Sequence, residues 1–190
     1  MLYLEEPSVN RKDDAIEYIQ EHLSYNSPIN GCGGLNRYVD NYEDWLVKLE
    51  NDRNMTPNSE RVPALTYFLV REEDKRIVGM INIRLCLNER LKKLGGHIGY
   101  GIRPTERKKG YNKINLYLGL EVCQRKGLDK VLLDADLDNP ASWRTMEALG
   151  GTRIDTYYDE DEQRDCVKYE IDVDKSLKDY ETIYKKQIKR

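Results

Sequence analysis

The spacing of apolar positions changes several times along the chain, and each change marks an element. Ile16, Ile19 and Leu23 recur at intervals of three and four, which predicts a helix opened by Asn10 as its N-cap. Tyr42, Trp45, Leu46 and Leu49 repeat that spacing and predict a second helix. A first strand is expected at Leu2 to Leu4. Segment 24–36, with Pro28, Gly31, Gly33 and Gly34, reads as a loop, as does the polar segment 51–63. From residue 64 the pattern turns to strands. An apolar run over 64–71, a charged turn and a second run over 76–87 predict a hairpin. Ile98, Tyr100 and Ile102 alternate along a third strand over 96–103, which Pro104 stops.

A helix is predicted from Gly110 through Arg125, closed by Gly127. It carries two opposed apolar stripes, Tyr111, Ile114, Leu118 and Val122 on one side and Leu116, Leu120 and Cys123 on the other, so it must be covered on both. The second stripe could meet another helix of the chain or a second copy in a homodimer. Val131, Leu132 and Leu133 make a short continuous run typical of a buried strand. Asn139 and Pro140 open a further helix through Leu149, ended by Gly150 and Gly151. A last hairpin over 152–158 and 165–173 turns at Asp159-Glu160-Asp161-Glu162. The predicted architecture is an α/β (α+β) domain over 1–173. It has a mixed, mostly antiparallel, twisted sheet of six or seven strands flanked by helices on both faces. Leu177, Tyr180, Tyr184 and Ile188 give the 174–190 tail a C-terminal amphipathic helix, expected to pack on the body.

Composition narrows the function classes. The 190 residues carry 31 basic against 34 acidic side chains, a net charge of −3, without the basic excess a nucleic-acid binder needs. Apolar runs fall far short of the ~20 residues that span a bilayer. The N-terminus lacks the basic start and long apolar core of a secretory signal, so the expected location is cytoplasmic and no membrane partner is expected. Cys32, Cys86, Cys123 and Cys166 are scattered and have no histidine at ligand spacing, which points to reduced thiols and no metal.

The chemistry concentrates between residues 95 and 151. A strand, Pro104 and a basic turn lead into the helix at Gly110. The first amides of a helix have no intrahelical acceptor, and the helix dipole adds positive potential there, so phosphate can bind with flanking cations as reinforcement. The turn Arg107-Lys108-Lys109-Gly110-Tyr111-Asn112 resembles the acetyl-CoA pyrophosphate loop of the GNAT superfamily of N-acetyltransferases, Q/R-x-x-G-x-G/A. Asn112 departs from the glycine or alanine of that pattern. The strand before the loop, the long helix after it, the short strand leading to Asn139-Pro140-Ala141-Ser142, and the final Gly150-Gly151 hairpin follow in the same order. More narrowly, Gly95-Gly96-His97-Ile98-Gly99-Tyr100 with Arg103-Pro104 is similar to a bacterial group of acetyltransferases.

The resemblance implies acetyl-CoA as the acyl donor, with no metal. Backbone amides of Arg107, Lys108, Lys109, Gly110, Tyr111 and Asn112 would hold its pyrophosphate. The backbone of Ile102 and Arg103 would pair with the pantetheine arm, and Asn139 and Ser142 would lie near the thioester. The implied reaction is direct transfer of an acetyl group, in a ternary complex, to a primary amine on a small molecule or a peptide. His97, whose unperturbed pKa is near neutrality, is the candidate base, with the side-chain-free Gly95, Gly99 and Gly101 leaving space beside it. Where many members place an acidic tyrosine, seven positions past Asn139, this chain has Met146, which leaves Ser142, Tyr100 or water to supply the proton, or the thiolate to depart unaided. The alternative is a non-catalytic acetyl-CoA-binding module. For the acceptor, the glycine loop and the acidic 159–162 turn are the flanking candidates, the latter as an attractor for a cationic amine.

Overall fold

The computed structural model describes residues 1–189. Strand β1 (Leu2–Glu5) leads through a single 3-10 turn into α1 (Lys12–Ser24), followed by α2 (Tyr42–Asn54), β2 (Ala64–Arg71), β3 (Ile77–Arg84) and a short α3 (Glu89–Lys93). Then come β4 (Ile98–Ile102), α4 (Tyr111–Arg125), β5 (Lys130–Asp136), α5 (Pro140–Glu147), β6 (Thr152–Asp159), β7 (Arg164–Asp172) and α6 (Val173–Tyr184). Asn10 is not a cap: it lies inside the 3-10 turn, and Arg11 opens α1 without a side-chain hydrogen bond. The buried face of α1 is Ala15, Tyr18, Ile19 and His22, and Leu23 is exposed. The pattern of apolar residues missed this because a tyrosine and a histidine fill the inward positions. Helix α2 runs to Asn54, past the expected end, and α3 was not foreseen; the Asn88 side chain caps it by accepting from the Leu91 amide at 2.9 Å.

The seven strands form two antiparallel sheets, ordered β1-β2-β3-β4 and β5-β7-β6. Strands β4 and β5 are facing edges, and among the described residues a single backbone-to-backbone hydrogen bond joins them, at the residue before β4. The His97 amide donates to the Leu132 carbonyl at 2.7 Å, and the Leu132 amide donates to His97 Nδ1 at 2.9 Å. Gly96 makes this approach possible: its φ is +56°, and a Cβ there would stand 2.2 Å from the Leu132 oxygen. Beyond that contact the two edges carry no ladder between them.

Helices α1 and α2 cover one face of the first sheet through Tyr18, Ile19, Trp45, Phe68 and Met80, and the other face packs on α4. Every residue of α4 from 114 to 120 is buried, so both apolar stripes are covered within the chain, and Leu116 and Leu120 offer no exposed face to a second copy. The tail helix α6 lies on α4. Tyr117 and Tyr184 have ring centroids 5.2 Å apart, and the Tyr117 hydroxyl donates to the Leu177 carbonyl at 3.3 Å. Asp172 caps α6 by accepting from the Lys175 amide, and Lys189 N–H donates to the Leu2 carbonyl at 2.9 Å, returning the chain end to β1.

Candidate active site

The gap between the two sheets opens into two clefts. The first, about 430 Å³, is lined by Ile102, Arg107, Lys108, Gly110, Tyr111, Asn112 and Lys113 from the start of α4, and by Ala141, Ser142 and Thr145 of α5. Gly110 stands at the N-cap with φ +78° and nothing within 4 Å of where a Cβ would project, so the backbone is open to a ligand. Among the described residues, no amide from 108 to 112 donates to a protein acceptor. A row of free amides at a helix start, with Lys108, Arg107 and Lys113 beside it, suits a pyrophosphate.

The predicted residues of this region divide. Arg107 is held in place: its Nε donates to the Ile102 carbonyl at 3.1 Å and its Nη2 to Ser27 Oγ at 2.5 Å. Lys109 turns away from the cleft, and its Nζ sits 2.8 Å from the buried Glu106 carboxylate, which also takes Arg71 and Arg76. Asn112 swings toward α5, its Nδ2 3.4 Å from Thr145 Oγ1, and leaves the loop backbone clear. Arg103 corrects the expectation of a pantetheine-pairing backbone at that position. Its amide donates to the Val78 carbonyl at 3.0 Å, and its buried guanidinium meets Glu17 and Glu21 of α1. Because antiparallel ladder residues alternate in the side they serve, Ile102 and Tyr100 present their backbone to the outer edge of β4. His22, which the sequence did not single out, also borders this cleft. Its Nδ1 donates to the Pro28 carbonyl at 3.0 Å, its Nε2 has no partner, and burial lowers its pKa.

The second cleft, about 570 Å³, lies between the 28–37 loop, the ends of β3 and β5, and the β6–β7 hairpin. Tyr100, Asn139 and Ser142 line both clefts. The Tyr100 hydroxyl is 3.1 Å from the Ser142 carbonyl and 3.2 Å from Ser142 Oγ, so the two candidate proton donors do meet. Burial raises the Tyr100 pKa, partly offset by that serine contact. Asn139 caps α5 by accepting from the Ser142 amide at 3.3 Å. Met146, at the usual tyrosine position, is buried in the core.

His97 is not brought into either cleft. Its Nδ1 lone pair is engaged by the Leu132 amide, so the ring proton sits on Nε2 and the group has no free basic nitrogen. Burial, with the Arg84 guanidinium nearby, depresses its pKa to about 4. The space expected beside it is filled: Gly31 lies flat on β4, where a Cβ would stand 2.6 Å from Tyr100 Cα, and a Cβ on Gly101 would stand 2.8 Å from the Asn30 oxygen. Of the acidic turn, Asp159 reaches the second cleft, but its Oδ1 accepts from the Asp161 and Glu162 amides. The carboxylate that sequence reading passed over is Asp134, on the outward face of β5. Its Oδ2 accepts from the Gly95 amide at 2.6 Å, its Oδ1 is buried with no partner at hydrogen-bond geometry, and burial raises its pKa against the pull of Gly95, Lys168, the nearby Tyr157 hydroxyl and Arg84. The available signal was an acid directly after the apolar run Val131-Leu132-Leu133, still within its strand.

A helix start with free amides lines one cleft, and a second, polar cleft opens beside it where the two antiparallel sheets part. Residues 35–150 match the family model described as "Acetyltransferase (GNAT) family", and the chain belongs to that family. It is an acyltransferase, and acetyl-CoA is the acyl donor of that family. A search of curated proteins returned no match. Among solved structures, a chimera of the Vibrio cholerae spermidine N-acetyltransferase SpeG with hSSAT matches with TM-score 0.63 at 15% identity, over 93% of this chain and 98% of that one. The ribosomal-protein-S5-alanine acetyltransferase of Vibrio fischeri matches with TM-score 0.65 at 13% identity, over 89% and 92%. The microcin C7 self-immunity acetyltransferase MccE, determined with acetyl-CoA and AMP, matches with TM-score 0.62 at 15% identity, over 88% and 89%. At these identities the likeness is one of fold. No described helix is long and apolar enough to cross a membrane.

Proposed function

We propose that this protein transfers an acetyl group from acetyl-CoA, held in the first cleft, directly to a primary amine that enters through the second. One observation carries this reading: Tyr100 and Ser142 line both clefts, so donor and acceptor would meet at their hydroxyls. The amides of 108–112 hold the pyrophosphate, and the outer edge of β4, at Tyr100 and the Ile102 amide, offers the pantetheine arm a strand to pair with, the Ile102 carbonyl being taken by Arg107. Asp134 takes the proton the amine must lose, because its Oδ1 is uncommitted and its raised pKa favours proton capture. The amine nitrogen bonds to the acetyl carbon, the carbon–sulfur bond breaks, and the departing thiolate is met by the Tyr100–Ser142 hydroxyl pair. Tyr100 keeps its proton at working pH and so acts as a hydrogen-bond donor to sulfur; solvent restores the thiol.

Calorimetric titration with acetyl-CoA, followed by thiol release with a broad panel of amines, tests the proposal. One-to-one binding and amine-dependent release are expected. Asp134→Asn should retain acetyl-CoA binding and lose on the order of 10²–10⁴ in turnover, the usual worth of a positioned base. The wild-type rate should rise with pH through the raised Asp134 pKa, and the variant should lose that limb. An Asp134→Asn enzyme with unchanged turnover and pH profile removes Asp134 from the mechanism; absence of acetyl-CoA binding removes the proposal as a whole.

A further inference from the structure

Charge in the second cleft is unevenly committed. Six basic and five acidic side chains line it, so it has no acidic excess to draw in a polycation. Most of the acids are already engaged. Asp52 takes Lys48 at 2.6 Å together with Arg61, Asp136 takes Arg164 at 2.9 Å, and Asp159 caps its own turn. Glu60 stands exposed at the rim. Three of the six cations make no ion pair with any described residue: Arg84, Arg90 and Arg37.

Arg84 is the telling one. It is partly buried, and its hydrogen-bond acceptors are two neutral carbonyls, Gly95 O at 3.0 Å and Gly96 O at 2.8 Å. Burial and the like charge of Arg90 both work against its protonated form. The carboxylate that works in its favour is Asp134, from beyond ion-pair distance, holding the amide side of the same Gly95. A guanidinium withdrawn from water is costly unless an anion compensates it, and Arg has the planar fork that grips carboxylate and phosphate. An ammonium placed at Asp134, or a proton passed to it, would strip Arg84 of that compensation. The balance closes if the acceptor brings its own anion.

We infer that the acceptor is an amine that also carries an oxyanion, carboxylate or phosphate, with the amine toward Asp134 and the oxyanion on Arg84 and Arg90. This inference rests on the reading of the second cleft as the acceptor site. It separates this chain from the polyamine acceptor named for the SpeG structures.

The test compares matched amines with purified protein and saturating acetyl-CoA: lysine against cadaverine, β-alanine against propylamine, O-phosphoethanolamine against ethanolamine, and spermidine as the polycation. For at least one anionic member, kcat/KM should exceed that of its neutral or cationic twin by tenfold or more. Which pair shows the preference distinguishes carboxylate from phosphate. Arg84→Gln keeps donors for the two glycine carbonyls and should erase the preference. Arg90→Glu, on an exposed position of α3, should erase or invert it even if Arg84→Gln folds poorly. Spermidine or the neutral twins turned over as well as the anionic amines would overturn the inference and leave the acetyltransferase reading standing. So would a preference unmoved by both variants, or acetyl-CoA binding without turnover of any anionic amine. Absence of acetyl-CoA binding would instead overturn the underlying reading, and this inference with it.

Discussion

Replacing His97 separates a catalytic histidine from a structural one. In the structure its Nδ1 accepts from the Leu132 amide, and its pKa falls from 6.5 to about 4 through burial and the neighbouring Arg84. A histidine whose folded pKa is depressed gives stability that is fully present above about 6.5 and lost as pH falls through about 4, because the unfolded chain takes up the proton first. At ~1.4 kcal/mol per pH unit that drop corresponds to about 3 kcal/mol, and partial solvent access reduces it to about 2. His97→Asn places an amide oxygen near the position of Nδ1 and removes the titration. His97→Ala removes the acceptor and leaves the Leu132 N–H unsatisfied, a cost of about 1–3 kcal/mol. Urea unfolding at pH 7 and pH 4.5 reads both effects. The alanine variant should be less stable at pH 7, and the asparagine variant near wild type. Between the two pH values, His97→Asn should lose about 2 kcal/mol less stability than wild type. His22 titrates alike in both proteins, so the difference isolates His97. If His97→Asn instead keeps the wild-type acid sensitivity, or loses turnover a hundredfold at unchanged stability, the structural assignment is wrong.

Three further outcomes follow from particular contacts. Lys109→Ala should leave acetyl-CoA affinity within about twofold, since Lys109 serves Glu106, whereas Arg107→Ala should weaken it roughly tenfold, about 1.4 kcal/mol, by calorimetry. Gly31→Ala should destabilise by about 2–4 kcal/mol in thermal or urea unfolding, because its φ is +73° and the new methyl meets the β3 and β4 backbone at 2.6–2.8 Å. Ending the chain at residue 172 removes Val173, Leu177, Tyr184 and Ile188 from the core, roughly 1.5–3 kcal/mol each. That loss approaches the whole stability of a domain of this size, so the truncated chain should fail to give a cooperative unfolding transition.

The parts of the fold that rest on local periodicity were legible. The strands from Ala64 to Ile102, the helix behind Gly110 and the Asn139 cap each announce themselves within a few residues. Helix α3 did not, because five residues carry too short a stretch of any period to show in the pattern. At the site, residue type and element were readable, but orientation was not. Lys108 and Lys109 are equivalent in sequence; their separation depends on a buried carboxylate, Glu106, which Arg71 at the end of β2 and Arg76 just before β3 also engage. His97 was placed correctly on the chain near β4, yet its role turns on which backbone group of β5 lies beside it, and no local spacing encodes that. The glycines on β4, read as open space beside His97, instead admit a close neighbour, the Asn30-Gly31 backbone of a loop.

The site exists because a sheet is prevented from closing. Two antiparallel sheets present facing edges, β4 and β5, each with unpaired amides and carbonyls, and such edges ordinarily extend into a continuous ladder. Here the chain spends one exchange, at His97 and Leu132, and then stops. Gly96 lets the edges touch there, and the histidine ring occupies the hydrogen-bonding position that a second backbone carbonyl would have taken. From that pivot the edges part: Asp134 on one lines the second cleft, and Tyr100 on the other lines both. His97 lines neither cleft, and its part is one of position alone. It fixes where pairing ends and therefore where the two clefts begin, and the same position that looks catalytic in the sequence is better understood as the hinge pin of the opening.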